Sequence, residues 1–322
     1  MTNDRIPAEA FPPAQGARLP WTAVPDGVRR ALEDIVGARI VAAIDQPGGF
    51  SPGMAARMQL SDGGRVFIKA ISTAPNPESP EMHRREAVIA ARLPASSPVP
   101  RFLGSFDDGE YVALVFEDIE GEQPELPWRS NELKRVLDAL SDLSASLTPS
   151  PVEADAISEE RVPFTGWRQL MTKPEIEIEP WARANIARLA ELEAGWMDAA
   201  RGETLLHADL RADNILLGQN RVVFIDWPHA CIGAAWVDLA FFLPSVAMQG
   251  GPEPWTVFDS HQLGAEAAPE DVDSLVAALA GFFVWKGTLS PPPGLPTLRE
   301  FQRAQGMAAL AWLRQRLDRP GA

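Results

Sequence analysis

The segment His207-Ala208-Asp209-Leu210-Arg211-Ala212-Asp213-Asn214 is followed, twelve residues beyond Asn214, by Ile225-Asp226-Trp227. Asp209, Asn214 and Asp226 all sit among apolar residues: Leu205-Leu206 before the first motif, Ile215-Leu216-Leu217 after it, and Val222-Val223-Phe224 before the second. Carboxylates and a carboxamide in such surroundings need a partner, because desolvating them is costly. A divalent cation supplies one. Mg²⁺ prefers hard oxygen ligands and takes only one or two from protein, leaving the rest to water and phosphate oxygens. Taken alone, His-x-Asp is equally a loop cap in which Asp209 accepts backbone amides.

Phosphate chemistry also calls for a cation upstream. Lys69 lies within Arg65-Val66-Phe67-Ile68-Lys69-Ala70-Ile71, and it is the first lysine of a chain that otherwise uses arginine until Lys134. In a strand, Ile68 and Ala70 point away from the Lys69 face. A compact ammonium suits a phosphate pair in a cleft. A solvated charge at a strand edge is the alternative. Glu86, in His83-Arg84-Arg85-Glu86-Ala87-Val88, pairs with Lys69 or makes a simple i,i+4 helix contact, in which Met82 and Ala90 offer it no charge. Pro47-Gly48-Gly49-Phe50-Ser51-Pro52-Gly53 is a glycine-rich loop between two strands. Gly48 and Gly49 allow backbone amides close to a ligand, and Ser51 adds a hydroxyl.

Local patterns predict the elements that carry these groups. A helix runs from Asp26 to about Val36, with Val28, Leu32 and Ile35 on one face. Short β-leaning runs follow at 38–46, 54–60 and 65–71, the last two joined by a Ser61-Asp62-Gly63-Gly64 hairpin turn. Ser79 caps the next helix with Pro80 in its first turn, running to about Leu93. Strands at 101–107 and 110–118 meet at Asp108-Gly109. Three strands, a helix and two strands make an α+β lobe: a five-stranded antiparallel sheet with one helix on it. Residues 1–20, rich in Pro, Ala and Gly, read as a flexible arm. The domain reading is therefore 21–118 for the small N-terminal lobe, 119–127 for an acidic linker broken by Gly and Pro, and 128–322 for a larger, mostly helical C-terminal lobe. Helices are predicted near 129–147, 180–199, 235–248, 269–287 and 296–318.

His-Ala-Asp-Leu-Arg-Ala-Asp-Asn followed by Ile-Asp-Trp resembles the H-x-D-x-x-x-x-N catalytic loop and metal-binding aspartate of the protein-kinase-like fold. The form without Arg after His, with Asp-Trp in place of Asp-Phe-Gly, is similar to the aminoglycoside phosphotransferase and choline kinase branch. The resemblance implies that Asp209 is the catalytic base for an acceptor hydroxyl and that Asn214 and Asp226 hold Mg²⁺ on the phosphates. It implies that Glu86 holds Lys69 toward the α- and β-phosphates and that the Gly48–Ser51 loop covers the phosphates. Backbone groups of Glu117 and Ile119 would read the base of ATP or GTP. His207 and Asp238 become structural braces. Asp213, outside the motif, is expected to face solvent, and His229 to be a packed or capping residue. The specific motifs cover 204–240, with partial support at 47–86.

Composition bounds the partners. Forty-four Asp and Glu against 29 Lys and Arg give a net charge of −15. Such a field repels nucleic acid and anionic membranes and attracts metal ions and amines, although it also serves solubility alone. One cysteine, Cys231, permits no intrachain disulfide and reads as a buried apolar residue. No N-terminal signal core and no run of about 18 apolar residues is found, so the expected location is cytoplasmic.

The acceptor is the least legible part. Glu175, Glu177 and Glu179, with Glu253 and Asp259, are candidate acidic contacts for an aminoglycoside, choline or another amine; each is also an ordinary loop charge. Trp167, Trp227, Trp255 and Phe258 are candidates for an apolar wall suited to a macrolide or sugar. A protein kinase is disfavoured because 226–238 is too short for an activation loop that docks a peptide. A catalytically inactive nucleotide-binding protein is disfavoured by intact Lys69, Asp209, Asn214 and Asp226.

Overall fold

The computed structural model describes residues 18–46, 50, 53–74, 79–157, 164–292 and 295–318. Strands β1 (Ile40–Asp45), β2 (Met54–Leu60), β3 (Arg65–Ser72), β4 (Phe102–Asp107) and β5 (Tyr111–Glu117) form one antiparallel sheet in the order β1-β2-β3-β5-β4. Strand alternation sends residues to two faces. Ile68, Ala70, Ala113 and Val115 join Val28 and Leu32 of helix α1 (Asp26–Val36) in one core. Phe67, Leu114 and Phe116 lie on the opposite face with Ala87 and Ala90 of helix α2 (Ser79–Ala90). Lys69 alternates with Ile68 and Ala70, so it shares the α2 face. Helix α2 takes Ser79, expected as its cap, as its first residue. Helix α1 stops at Gly37, whose φ of 72° is the left-handed turn that closes many helices.

Beyond the sheet the chain is mainly helical: α3 (Ser130–Ser146), α4 (Gly166–Met171), α5 (Pro180–Ala184), α6 (Ile186–Ala194), α7 (Trp196–Ala199), α8 (Val237–Met248), α9 (Pro254–Phe258), α10 (Gln262–Ala265), α11 (Pro269–Gly287) and α12 (Leu298–Leu317). Their shared core includes fully buried Trp167, Phe242 and Trp312. Helix α8 is buried nearly all round, as its run of Phe, Leu, Ala and Val demands.

The single helix predicted over 180–199 is broken into three. Asn185 turns its side-chain amide onto the Trp181 carbonyl at 2.8 Å, and Gly195 interrupts again. Side chains that compete for the backbone favour such breaks. Helices α4, α9 and α10 span four to six residues, too short for a helical period to be read.

Two hairpin-like pairs interrupt the helices. Strand β6 (Thr204–Leu206) pairs with β9 (Cys231–Gly233), and β7 (Ile215–Leu217) pairs with β8 (Val222–Phe224). The β6–β7 loop carries His207 to Asn214, and the β8–β9 loop carries Asp226. Among the described residues, no helix is long and apolar enough to cross a membrane.

Candidate active site

The β6–β7 loop is held from behind by Asp238, in the first turn of α8. One carboxylate oxygen accepts the His207 amide and the other the Ala208 amide, each at 2.8 Å. Presenting two successive amides to one carboxylate bends the backbone, and Ala208 sits at φ 60°. Burial raises the Asp238 pKa against the opposing pull of His207.

His207 is fully buried. Its Nε2 lies 2.8 Å from the Ile225 carbonyl oxygen, and its Nδ1 accepts the Asp209 amide at 3.3 Å. A carbonyl can only accept, so Nε2 carries the proton and Nδ1 does not. Burial lowers the imidazole pKa and keeps it neutral. The ring therefore ties the Asp209 loop to the Asp226 loop, helped by contact with Trp227 at 4.7 Å between ring centres.

Asn214 donates its side-chain amide to the Asp209 carbonyl at 2.8 Å, which leaves Oδ1 as the atom that could face a cation. Its own backbone carbonyl accepts the Ile225 amide at 3.0 Å. Asp226 stands one residue further along, at φ 71°, with a side chain 41% exposed. An Asp carboxylate and an Asn carbonyl oxygen are hard donors of the kind Mg²⁺ takes, in the number it usually takes from protein.

Lys69 reaches this point from the sheet. Its Nζ donates to Glu86 Oε1 at 2.8 Å, to Glu86 Oε2 at 3.0 Å and to Asp226 Oδ1 at 2.6 Å. Glu86 is 2% exposed and also accepts the Trp227 amide at 3.3 Å. Burial would pull the Lys69 pKa down, but Asp226 and Glu86 outweigh it and hold the ammonium charged. Burial pushes Asp226 up, yet Lys69 overrides that and keeps its carboxyl well below the usual range. Burial raises Glu86, with Lys69 opposing.

These groups open onto a cavity of about 510 Å³, also lined by Asn214, Glu117, Ile119 and Trp227. That volume is within the range of small-ligand sites, about 300–1,000 Å³. At its far end Arg57 donates to the carbonyls of Ile119 (2.9 Å) and Gly121 (3.2 Å) and pairs with Asp118 at 3.2 Å. Arg57 fastens β2 to the segment between the lobes, and no local pattern in the sequence marks it.

Arg211 is a second residue that sequence reasoning missed. Its guanidinium pairs with Asp209 and bonds Asp213 at 2.9 Å through both Nε and Nη2. Asp213 does not face solvent: it is 15% exposed and lines the cavity, because a buried guanidinium needs a second carboxylate. The signal was present in an arginine spaced two residues from each of two aspartates. Arg211 also lies 5.7 Å from the Phe50 ring and 5.9 Å from the Phe301 ring, which meet edge-on at 5.5 Å. Phe50, from the glycine-rich loop, thus reaches the first turn of α12. Gly48, Gly49 and Ser51 lie outside the described residues.

The acceptor candidates do not gather in this cavity. Glu175, Glu177, Glu253 and Asp259 are exposed on separate segments. Glu179 caps α5 by accepting the Ala182 amide at 2.9 Å. Trp255 packs against the helical core. Trp167 and Phe258 do not line a wall: both are buried, Trp167 bonding the Ala277 carbonyl at 2.7 Å and Phe258 lying between Trp236 and Trp312. His229 is part-buried and off the cavity, and Cys231 is buried.

Comparison with known structures gives the same architecture. Aminoglycoside phosphotransferase APH(4)-Ia aligns with a TM-score of 0.58 at 15% identity, over 92% of this chain and 98% of that one. A choline/ethanolamine kinase family protein from Mesorhizobium loti aligns at 0.58 and 19%, over 92% and 95%. Choline kinase LicA from Streptococcus pneumoniae aligns at 0.55 and 15%, over 88% and 98%. At these identities the likeness is one of fold, and that fold is the two-lobed, protein-kinase-like one. Among curated proteins, a LicA homolog from Mycoplasma capricolum is 25% identical over 167 residues, which is 50% of this chain and 65% of the relative's own length. A family model described as "Phosphotransferase enzyme family" matches residues 50–275, a span that contains Lys69, Glu86, Asp209, Asn214, Asp226 and Asp238. The chain belongs to that phosphotransferase family.

Proposed function

We propose that the protein transfers the γ-phosphate of ATP or GTP, with Mg²⁺, to a hydroxyl of an amine-bearing small molecule of the aminoglycoside type. The observation that carries this reading is the meeting of Lys69, Glu86 and Asp226 from three separate segments, beside a loop that presents Asp209 and Asn214.

Asp209 is the group for the acceptor. Arg211 on one side and the Asn214 amide on the other fix its carboxylate, and its side chain is still 30% exposed. It orients the acceptor hydroxyl and takes its proton as the oxygen–phosphorus bond forms and the bond from γ-phosphorus to the β-γ bridging oxygen breaks. The leaving group is the nucleoside diphosphate. General-base help of this kind is worth about 10²–10⁴ in rate. Lys69, positioned by Glu86, supplies fixed positive charge to the phosphates, and preorganised charge is the larger share of phosphoryl-transfer catalysis. Asn214 Oδ1 and the Asp226 carboxylate are the atoms that would hold magnesium. When bound, the metal neutralises charge on the triphosphate. Glu117 and Ile119, at the other end of the cavity, offer backbone groups to the base.

For the acceptor, a net charge of −15 favours a cation. A choline-type acceptor is the second reading, supported by the curated LicA relative and the choline kinase structures. Nucleotide consumption with aminoglycosides, choline, amino sugars and macrolides separates these. Consumption with a polyamine acceptor supports the first reading, and consumption with choline alone supports the second. Nucleotide binding without consumption across the panel would overturn both.

A further inference from the structure

Arg211 serves two carboxylates and treats them differently. Its Nε and Nη2 donate side by side to Asp213 Oδ1 and Oδ2, each at 2.9 Å. That is the bidentate geometry in which guanidinium and carboxylate pair most strongly. Its Nη1 donates to one oxygen of Asp209, Oδ1. The other Asp209 oxygen, Oδ2, meets the Asn214 side-chain amide at 3.4 Å, longer than an ordinary hydrogen bond.

Asp213 is fixed in this position. It sits in the tight turn Ala212–Asn214, which the Asn214 amide closes on the Arg211 carbonyl at 3.0 Å. Gln123, from the segment between the lobes, donates to the Asp213 carbonyl at 3.1 Å. The guanidinium is confined as well, with its carbon 5.7 Å from the Phe50 ring and 5.9 Å from the Phe301 ring, within cation–π range. The side chains of Arg211 and Asp213 are 12% and 15% exposed, against 30% for Asp209. The more exposed carboxylate is thus the one that Arg211 holds by a single nitrogen.

This division matters because of what Arg211 would do without Asp213. A guanidinium beside a single carboxylate tends to close both of its oxygens in a fork. With Asp213 on the Nε–Nη2 edge, that fork is taken, and Asp209 keeps Oδ2 open. Asp213 also shares the cation, so the three groups together stay net negative and Asp209 stays able to accept a proton.

We propose that Asp213 is a positioning residue for phosphoryl transfer. By occupying the fork of Arg211 it leaves Asp209 Oδ2 as the atom that takes the acceptor proton. In the same step the acceptor oxygen bonds the γ-phosphorus, the bond from γ-phosphorus to the β-γ bridging oxygen breaks, and the nucleoside diphosphate leaves. Arg211 stays protonated throughout. The inference rests on the transfer reading above and adds to it a residue at an unspecified position of the H-x-D-x-x-x-x-N motif.

The test is the kinetics of Mg-ATP consumption by the full chain, with water as the acceptor and with each acceptor of the panel above. In Asp213→Ala the fork is free and closes on both oxygens of Asp209. Its kcat should fall by about 10²-fold, the low end of what general-base help is worth. Binding of AMP-PNP with Mg²⁺, read by calorimetry, should stay within about twofold of wild type. Asp213→Asn keeps the shape but offers one acceptor oxygen in place of two. It should lower kcat in the same sense, and it decides the matter if the alanine variant does not fold. In an Arg211→Met background no guanidinium is left to close on Asp209, so Asp213→Ala should cost no further kcat. A crystal structure of Asp213→Ala should show Arg211 on both Asp209 oxygens. Wild-type kcat in the Asp213 variants would overturn the proposal. So would equal losses in the wild-type and Arg211→Met backgrounds, which would make Asp213 act independently of Arg211. A parallel fall in AMP-PNP binding would make Asp213 a structural residue and overturn it too. If wild type binds no AMP-PNP, or consumes Mg-ATP with no acceptor, the transfer reading itself fails.

Discussion

Replacing Lys69 by Met removes a cation that touches both Glu86 and Asp226. Glu86 is 2% exposed and Asp226 is drawn toward the same ammonium at 2.6 Å, so the substitution strands one buried carboxylate and releases a second. Breaking a buried pair from one side costs about 3–5 kcal/mol. Protonation of Glu86, already raised by burial, relieves part of that, which puts the loss at the low end, about 3 kcal/mol. For 322 residues the unfolding entropy is about 0.7 kcal/mol/K, so the melting temperature falls by about 4 °C. Adding Glu86→Gln removes the stranded charge while keeping the shape. The double variant should therefore regain most of the lost stability, because replacing both partners is far cheaper than replacing one. It should regain no affinity for Mg-ATP. Thermal melts and calorimetric titration of the two single variants and the double variant complete a cycle. The reasoning is refuted if Lys69→Met melts with wild type, or if the double variant binds Mg-ATP as wild type does.

Three further outcomes follow from the loop that carries Asp209. Ala208 holds φ 60°, a region that costs an L-residue about 1 kcal/mol and glycine nothing. Ala208→Gly should raise the melting temperature by one or two degrees, and a fall would show that the bend is not strained. His207 is depressed by burial from an ordinary value of 6.5, so below that pH the unfolded chain binds a proton that the folded chain refuses. Stability is full above pH 6.5 and declines as pH drops. Melts of His207→Asn between pH 7.5 and 5 should show a shallower decline than wild type, and equal slopes would remove His207 as the source. Arg211→Met leaves Asp209 and Asp213 facing each other without their cation. It should cost about 3 kcal/mol of stability and lower kcat more than it raises the KM for nucleotide. An effect on nucleotide KM alone would contradict a positioning role at Asp209.

Elements with strong local patterns were legible from sequence: α1 over 26–36, β2 over 54–60 and α11 over 269–287 stand where periodicity puts them. So was the face of β3 that carries Lys69, since alternation with buried Ile68 and Ala70 decides it. What local pattern cannot carry is who meets whom. Arg211 and Asp213 lie two residues apart in the motif, yet Asp213 reads as a solvated charge in sequence, and only the structure shows its part-buried guanidinium partner. Arg57 and the Ile119 carbonyl lie 62 residues apart, and nothing in either segment announces the other. Glu179 went to a helix cap instead of a ligand. The acceptor carboxylates share composition but not a place: Glu175, Glu177, Glu253 and Asp259 are exposed and none lines the cavity, because which charges meet depends on packing that charge spacing does not encode.

The most direct test is a crystal structure of the chain with a non-hydrolysable ATP analogue and Mn²⁺ in place of Mg²⁺, read by the anomalous signal of the metal. The account predicts a metal peak within bonding reach of Asn214 Oδ1 and the Asp226 carboxylate, the Lys69 ammonium on a phosphate oxygen, and the Asp209 carboxylate facing the γ-phosphate. A metal bound elsewhere, or a triphosphate that leaves Lys69 on Glu86 and Asp226 alone, would contradict it.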